Sequence, residues 1–334
     1  MAARLNKTTQ LYADFITKNA GAVSQIESAL RSLTYIVPAR FQDAELASEA
    51  VHSSISLLSL YHDSLLARSI SSSSTPNKPA DKPTPHNRYT RFWTKQSPSY
   101  RRLALLITII QYTELLWEMT SQRRGQRTKW RVIVTLEAAK AICRLWLLKL
   151  TQSRPLLTPP LPERELIPEE EENLGPVDIS GDNSDADSIS EKKQEEPWQM
   201  PRTGLSLPSL PDPNKISQYL LSKVLTPEDV KPPQQLLHRV KGLGYLAEVV
   251  YIIRPVVYAV ALMKMRKDKK SWAPWLLGFS LEFMARQLRK RELEQGVPGG
   301  LRGLTGLEKD ELSRRAYAMA WWGVRGAAYE NVTG

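Results

Sequence analysis

The sequence predicts an all-α protein, and three observations carry that reading. Apolar residues recur at three- and four-residue spacing over most of the chain. No stretch alternates apolar and polar residues between hairpin turns. Proline- and serine-rich segments separate the periodic ones, as in amphipathic helical hairpins joined by linkers.

The first periodic segment runs from 8 to 37, with Leu11, Phe15, Val23, Ile26, Leu30, Leu33 and Val37 at helical spacing. Asn19-Ala20-Gly21 interrupts it, Ser24 and Glu27 have the spacing of a capping box that restarts it, and Pro38 closes it. A second helix is expected from about Asp43 to Ile70, with Leu46, Ala50, Leu57, Tyr61 and Leu65 on one side, so residues 8–70 read as an N-terminal helical hairpin. Residues 71–97 read as a flexible linker, because Ser71 to Asn87 lacks the apolar residues that offset chain entropy. Two apolar helices follow, about Ser99 to Thr120 and Lys129 to Thr151, separated by the basic turn SQRRGQR. This pair, 98–152, is the membrane-associated candidate. From 153 to 213 the periodicity is lost to prolines at 155, 159, 160, 162 and 168, then EEEE and SGDNSDADSISE. That stretch reads as a disordered acidic linker, with Ser184 and Ser188 set among acids. Order is expected again over 214–330. A short amphipathic piece near Asn214 precedes helices at about 234–253, 256–267, 273–294 and 308–328, and the loop GVPGGLRGLTG joins the last two.

Charge narrows the class. Among 334 residues, 46 Lys and Arg oppose 35 Asp and Glu, for a formal +11. Glu163 to Glu196 alone holds 13 acids and 3 bases, so the remainder carries +21. A basic surface of that kind meets nucleic-acid phosphates, anionic headgroups, or only water. The stretches RYTRFWTK and KKSWAPW mix bases with aromatics, but no zinc finger, recognition helix or stacking sheet accompanies them. Their neighbouring aliphatic runs suit lipid or protein better than bases. The mean hydropathy of -0.36 is too polar for a chain built mainly of membrane spans. The N-terminal residues lack the apolar core of a secretory signal peptide, and the single Cys143 excludes a disulfide framework.

A spanning helix needs about 20 mostly apolar residues. The charge-free run from Leu103 to Thr113 is barely half that, and its extension meets Glu114 and Glu118, which form one polar stripe with Thr108 and Gln111. On the partner helix Glu137, Lys140 and Arg144 share a face. The longest apolar stretch, Tyr245 to Met263, contains Glu248, Arg254 and Pro255. Arg101 and Arg102 precede Leu103, and Arg123, Arg124 and Arg127 follow the run. Equal basic flanks fit a helix lying in the interface, or a pair that enters and returns. Tryptophans at 93, 117, 130, 146, 272, 275, 321 and 322 supply rings favoured at headgroup level. The same faces would also bury against one another in a soluble bundle.

No catalytic constellation is found. His52, His62, His86 and His238 have no helical partner at i+4, so no metal site is expected. The glycine-rich loop at 296–306 lacks the Lys-Ser/Thr ending of a phosphate loop and follows no strand. Cys143 lies in an apolar helix and reads as packing, and no serine sits in a nucleophile elbow. The expectation is a non-enzymatic protein with no cofactor, no small-molecule substrate and no nucleic acid.

Three blocks resemble the peroxin-16 family of peroxisomal membrane biogenesis proteins, and its filamentous-fungal members in particular. They are YADFITKNAGAVSQIESALRSLTYIVPARF with the helix after it, SYRRLALLITIIQYTELLWEM with WRVIVTLEAAKAICRLWLL, and YIIRP with SWAPWLLGFSLE. In the last block the motif residues are Tyr251, Arg254, Pro255, Ser271, Trp272, Pro274 and Trp275. The resemblance implies a non-catalytic factor of the peroxisomal membrane, reached in part through the endoplasmic reticulum membrane. It also implies recruitment of the docking protein peroxin-3 and cooperation with the receptor peroxin-19 in membrane-protein insertion. Targeting in such relatives joins basic residues to an apolar segment, here Arg101 and Arg102 with Leu103, Leu105, Leu106, Ile107, Ile109 and Ile110. Family members continue past the tryptophan-rich helix into another apolar region, so a shortened C-terminus is expected for this chain. The alternative is a soluble helical adaptor whose basic face meets an acidic protein or a membrane surface.

Overall fold

A computed structural model describes residues 10–17, 19–33, 44–72, 83–164, 230–265, 272–296 and 300–329, all within one compact unit. Every regular element among them is helical. In chain order these are α1 (10–17), α2 (Ala20–Leu33), α3 (Ala44–Ser72), α4 (Pro85–Gln96), α5 (Pro98–Arg123), α6 (Gln126–Leu150), α7 (Leu243–Lys264), α8 (Ala273–Gly296) and α9 (Gly306–Tyr329). Helix α2 packs on α3, α3 on α5, α5 on α6, α6 on α7, α7 on α8 and α8 on α9, so most helices touch their neighbours in sequence.

Several boundaries differ from the sequence reading. Residues 85–96, placed in the flexible linker, form helix α4. Thr84 caps it by accepting from the Asn87 amide at 3.2 Å, Pro85 presets its first turn, and Tyr89 and Trp93 bury one side. The early part of the acidic linker is also ordered. Residues 153–164 run across α4 and α5, held where Asn87 Nδ2 donates to the Glu163 carbonyl at 3.0 Å and the Glu163 amide donates back to Asn87 Oδ1 at 2.8 Å. Tyr100 donates to the Pro160 carbonyl at 3.1 Å. Apolar Leu157 and side-chain clamps hold what a proline count reads as coil. Residues 73–82 and 165–229, including Ser184, Ser188 and the piece near Asn214, lie outside the described residues, as do Pro38 and 297–299 of the glycine loop.

The capping box at Ser24 is absent. Helix α2 already begins at Ala20, and Glu27 turns inward instead. His62 Nδ1 lies 2.5 Å from Glu27 Oε1, Ser59 donates to Oε2 at 2.8 Å, and Arg164 pairs with the same carboxylate at 3.3 Å. Burial works against the Glu27 charge, yet the bonds from His62, Ser59 and Arg164 hold its carboxyl below the usual glutamate range. Tyr12 reaches the other ring nitrogen of His62 at 2.6 Å. His62 is therefore part of a structural network tying the N-terminal helices to residue 164.

The main core joins Tyr89, Trp93, Tyr100, Ala104, Ile107, Cys143, Leu147, Leu157, Leu236 and Leu307, so α4, α5 and α6 close over two irregular segments and the start of α9. Burial pushes the Tyr89 and Tyr100 phenols well above their ordinary values, which keeps both neutral. A second cluster, Ala141, Leu148 and Ile252, fastens α6 to α7.

The expected break at Pro255 does not occur. Helix α7 continues through it from Leu243 to Lys264, while the predicted start at 234 is a 3-10 turn over Pro233–Leu236. Proline costs one helical hydrogen bond and crowds the carbonyl four residues back. Packing against α6 on one side and α8 on the other holds the helix together across that defect.

Candidate membrane-facing site

Helices α7, α8 and α9 form a ladder whose rungs can be read by residue. Along α7 and α8, Glu248 meets Arg289, Arg254 lies 3.0 Å from Glu282, and Tyr258 faces Gly278. The descending numbers on α8 mean that the two helices run antiparallel. Helix α9 follows α7: Arg315 donates to Glu248 at 2.8 Å, and Trp322 meets the Tyr258 ring edge-on at 5.5 Å. Gly278 is required at its rung, because a Cβ there would lie 2.9 Å from the Trp322 ring.

The rungs differ in chemistry along the ladder. At the lower end, Glu248 is fully enclosed and receives Arg289 and Arg315, and Arg315 also donates to Glu311 at 2.9 Å and to the Leu156 carbonyl at 2.8 Å. A cavity of about 390 Å³ opens beside them, lined by Leu293, Leu312 and Met319 as well as the charged groups. Among the described residues Glu248 Oε2 is buried with no side-chain hydrogen-bond donor. The middle rung is cationic and aromatic: Arg315 lies 4.3 Å over the Tyr251 ring, and Arg254 lies 5.7 Å from Tyr251 and 5.8 Å from Trp322. At the upper end Trp275 stacks on Phe279 at 5.4 Å and on Trp322 at 6.1 Å, with Trp272 edge-on at 5.8 Å. Around that end Trp272, Leu276 and Trp321 remain 44%, 54% and 71% exposed, with Val324 and Met265 also open.

The motif residues of the third sequence block therefore converge. Arg254 and Trp275 lie against Trp322, Tyr251 joins through Arg254, Pro274 is buried, and Pro255 sits inside α7. Ser271 lies outside the described residues. Arg289 and Arg315, which neutralise α7, were not legible in the sequence, since their partners lie 41 and 67 residues away. One missed feature did leave a signal. Thr305-Gly-Leu-Glu308 is a true capping box at α9, with reciprocal bonds of 3.3 Å, and Glu308 also accepts from the His238 amide at 2.7 Å.

The targeting candidates on α5 are divided by the structure. Ile107 is buried and Leu103 packs on the same core, whereas Leu106 and Ile109 are exposed and Ile110 is half-buried. Arg102 is exposed, but Arg101 and Leu105 line a cavity toward α3 and α4. The polar stripes of α5 and α6 face each other: Lys140 bridges Glu114 and Glu137 at 2.7 Å each, and Lys129 reaches Glu118 at 2.9 Å.

Among the described residues α7 alone is long and apolar enough to cross a membrane, with 22 residues of which only 22% of the most apolar window is buried by protein. No group of three or more His, Cys, Asp or Glu residues among those described is placed to hold a metal ion.

A family profile described as "Peroxisomal membrane protein (Pex16)" matches residues 10–334. This chain belongs to the Pex16 family. The Pex16-family match extends over the aromatic ladder and the apolar hairpin alike. The chain is 23% identical over 344 residues to the peroxisome biogenesis protein 16 of Arabidopsis thaliana, covering 97% of this chain and 89% of that protein. It is 21% identical over 339 residues to the peroxisomal membrane protein PEX16 of Schizosaccharomyces pombe, covering 98% and 88%. No solved structure matches it. The chain is thus a peroxisomal membrane biogenesis protein rather than an enzyme.

Proposed function

We propose that this Pex16-family protein acts as an assembly scaffold, held in the peroxisomal membrane by the aromatic end of α7, α8 and α9. The observation that carries the proposal is the polarity of the ladder. Its inward charges, Glu248, Arg289 and Arg315, are paired at one end, while Trp272, Leu276, Trp321 and Val324 stand open at the other. Tryptophan and tyrosine favour the boundary between headgroups and acyl chains, and a cluster of exposed large apolar side chains suits a contact surface. Helix α5 supports the attachment. Its basic ends, Arg102 and the Arg124–Arg127 turn, lie about 33 Å apart, so a helix lying flat would bring both to headgroup level. Each such base contributes roughly 1 kcal/mol on an anionic surface.

The protein component of the proposal follows from the family resemblance. The scaffold gathers peroxin-3 and peroxin-19, with a route through the endoplasmic reticulum membrane, and its free helix faces supply the contact area. The test is fractionation of the full chain from cells through salt, alkaline carbonate and detergent washes. Wild-type protein is expected to resist salt and carbonate, and Trp272→Ala with Trp321→Ala to move to the carbonate supernatant. Release of the wild type by salt alone would favour a basic adaptor on an acidic partner and overturn the anchoring role. Peroxin-3 co-purifying equally with wild type and with variants that disturb the free helix faces, such as Ile142→Glu on α6, would count against the recruiting role.

A further inference from the structure

A second cavity, of about 460 Å³, lies between α3, α4, α5 and the Pro159–Arg164 segment. Its walls are apolar, from Leu60 and Ala67 on α3, Leu105 on α5 and Leu161 above them. The rest of the lining is polar and mostly basic in charge: Arg91 and Lys95 come from α4, Arg101 from α5, and Arg164 from the crossing segment. The two acids in the lining are already engaged. Asp63 accepts from Arg164 Nε at 2.6 Å, and Glu163 lies 3.7 Å from Arg314. The side chains of Arg101 and Lys95 have no hydrogen bond or ion pair among the described residues.

An apolar chamber with a few converging charges is the usual form of a small-molecule site, and its volume falls within the ordinary range of roughly 300–1,000 Å³. We propose that it binds one single-chain amphiphile with an anionic head, the chain lying among Leu60, Leu105 and Leu161 and the head against Arg101 and Lys95. The volume is at the small end of that range, which favours a ligand with one acyl chain. Charge selects the head, because exposed Lys95 and half-buried Arg101 stand together at the rim without an ion pair among the described residues, so an anion placed there pairs with both. This site is distinct from the exposed aromatic end, and the inference does not rest on the anchoring proposed above. Arg101 and Arg102, adjacent in sequence, thereby take different roles: one turns into the cavity and the other faces outward.

Photo-crosslinking tests this. The full chain in vesicles of uncharged lipid is labelled with a diazirine-bearing fatty acid, and the adducts are mapped by mass spectrometry. Adducts are expected on the peptides carrying Leu60, Leu105 and Leu161. Excess oleate or oleyl phosphate should compete and oleyl alcohol should not, and the stronger of the two competitors tells a carboxylate head from a phosphate head. Lys95→Gln with Arg101→Gln should lower labelling about tenfold, while Lys149→Gln leaves it unchanged. Leu105→Trp, which fills the chamber, should remove it while the helical circular dichroism signal and its melting midpoint are retained. Adducts spread over Leu276 and Trp321 instead, equal competition by the alcohol, or undiminished labelling of the double variant would each overturn the assignment.

Discussion

Helices α5 and α7 look alike in sequence and differ in what surrounds them. Both are long, apolar and interrupted by charge, and both present an outer apolar face, Leu106 and Ile109 on one and Leu246 and Ile253 on the other. The difference lies inward. Helix α5 turns Ala104 and Ile107 into the main core and leaves Glu114 and Glu118 to half-open pairs with α6. Helix α7 turns a glutamate inward and surrounds it with arginines from two other helices. A charge in an apolar helix therefore says little about membranes until its partner is known. On α5 the pairs are peripheral to a hydrocarbon core, and on α7 they are the centre of the packing.

That contrast can be broken by substitution. The largest effect is expected at Glu248→Gln, which strands Arg289 and Arg315 in a buried site; loss of one partner of such a group costs roughly 4 kcal/mol. Denaturant titration of the detergent-solubilised protein would read it, and a change below 1 kcal/mol would mean that the arginines reach water. On α5, Ile107→Ala removes an apolar side chain from a closed core and should cost about 3 kcal/mol in the same assay. Leu106→Ala, one position away and exposed, should be nearly neutral to folding, so equal losses would refute the inward and outward assignment.

A smaller effect is expected outside both helices. Glu27→Gln weakens three contacts of the N-terminal network and should cost about 2 kcal/mol. The Glu27 carboxyl titrates lower in the folded chain than in the unfolded one, so its contribution is present above the ordinary glutamate value. It is lost as pH falls through the lower, folded value. Asp63, whose carboxyl is raised by burial despite Arg164, acts in the opposite direction in the same network. The Gln variant should thus show a flatter acid limb in a melting-temperature series. A smaller effect still belongs to Glu114→Gln, whose half-open pair with Lys140 is worth less than about 1 kcal/mol and should fade with salt.

Much of this was legible in sequence. The helical period located α3, α5, α6, α8 and α9 to within a few residues, because each buries one stripe and exposes another. Errors clustered where a local rule met a tertiary contact. The prolines around 155–162 signalled coil, yet Asn87 and Tyr100 hold that coil in place across the helices. The lack of aliphatics before residue 88 concealed α4, whose burial comes from Tyr89 and Trp93. The block YIIRP with SWAPW was visible as a motif, but its convergence on Trp322 was not, because the ring that joins Arg254 to Trp275 comes from the last helix.

The sequence by itself determined the all-α class, the family, and the faces that are apolar, since each depends on residue type and spacing along one chain. The tertiary structure alone decided which apolar faces are covered and which charges are neutralised. Pairing and coverage are properties of neighbours: Glu248 became a packing centre only because Arg289 and Arg315 arrive from α8 and α9. The same holds for Arg101 and Arg102. Their side chains are identical, and the position of α4 and the crossing segment around α5 separates the one lining a cavity from the one facing out.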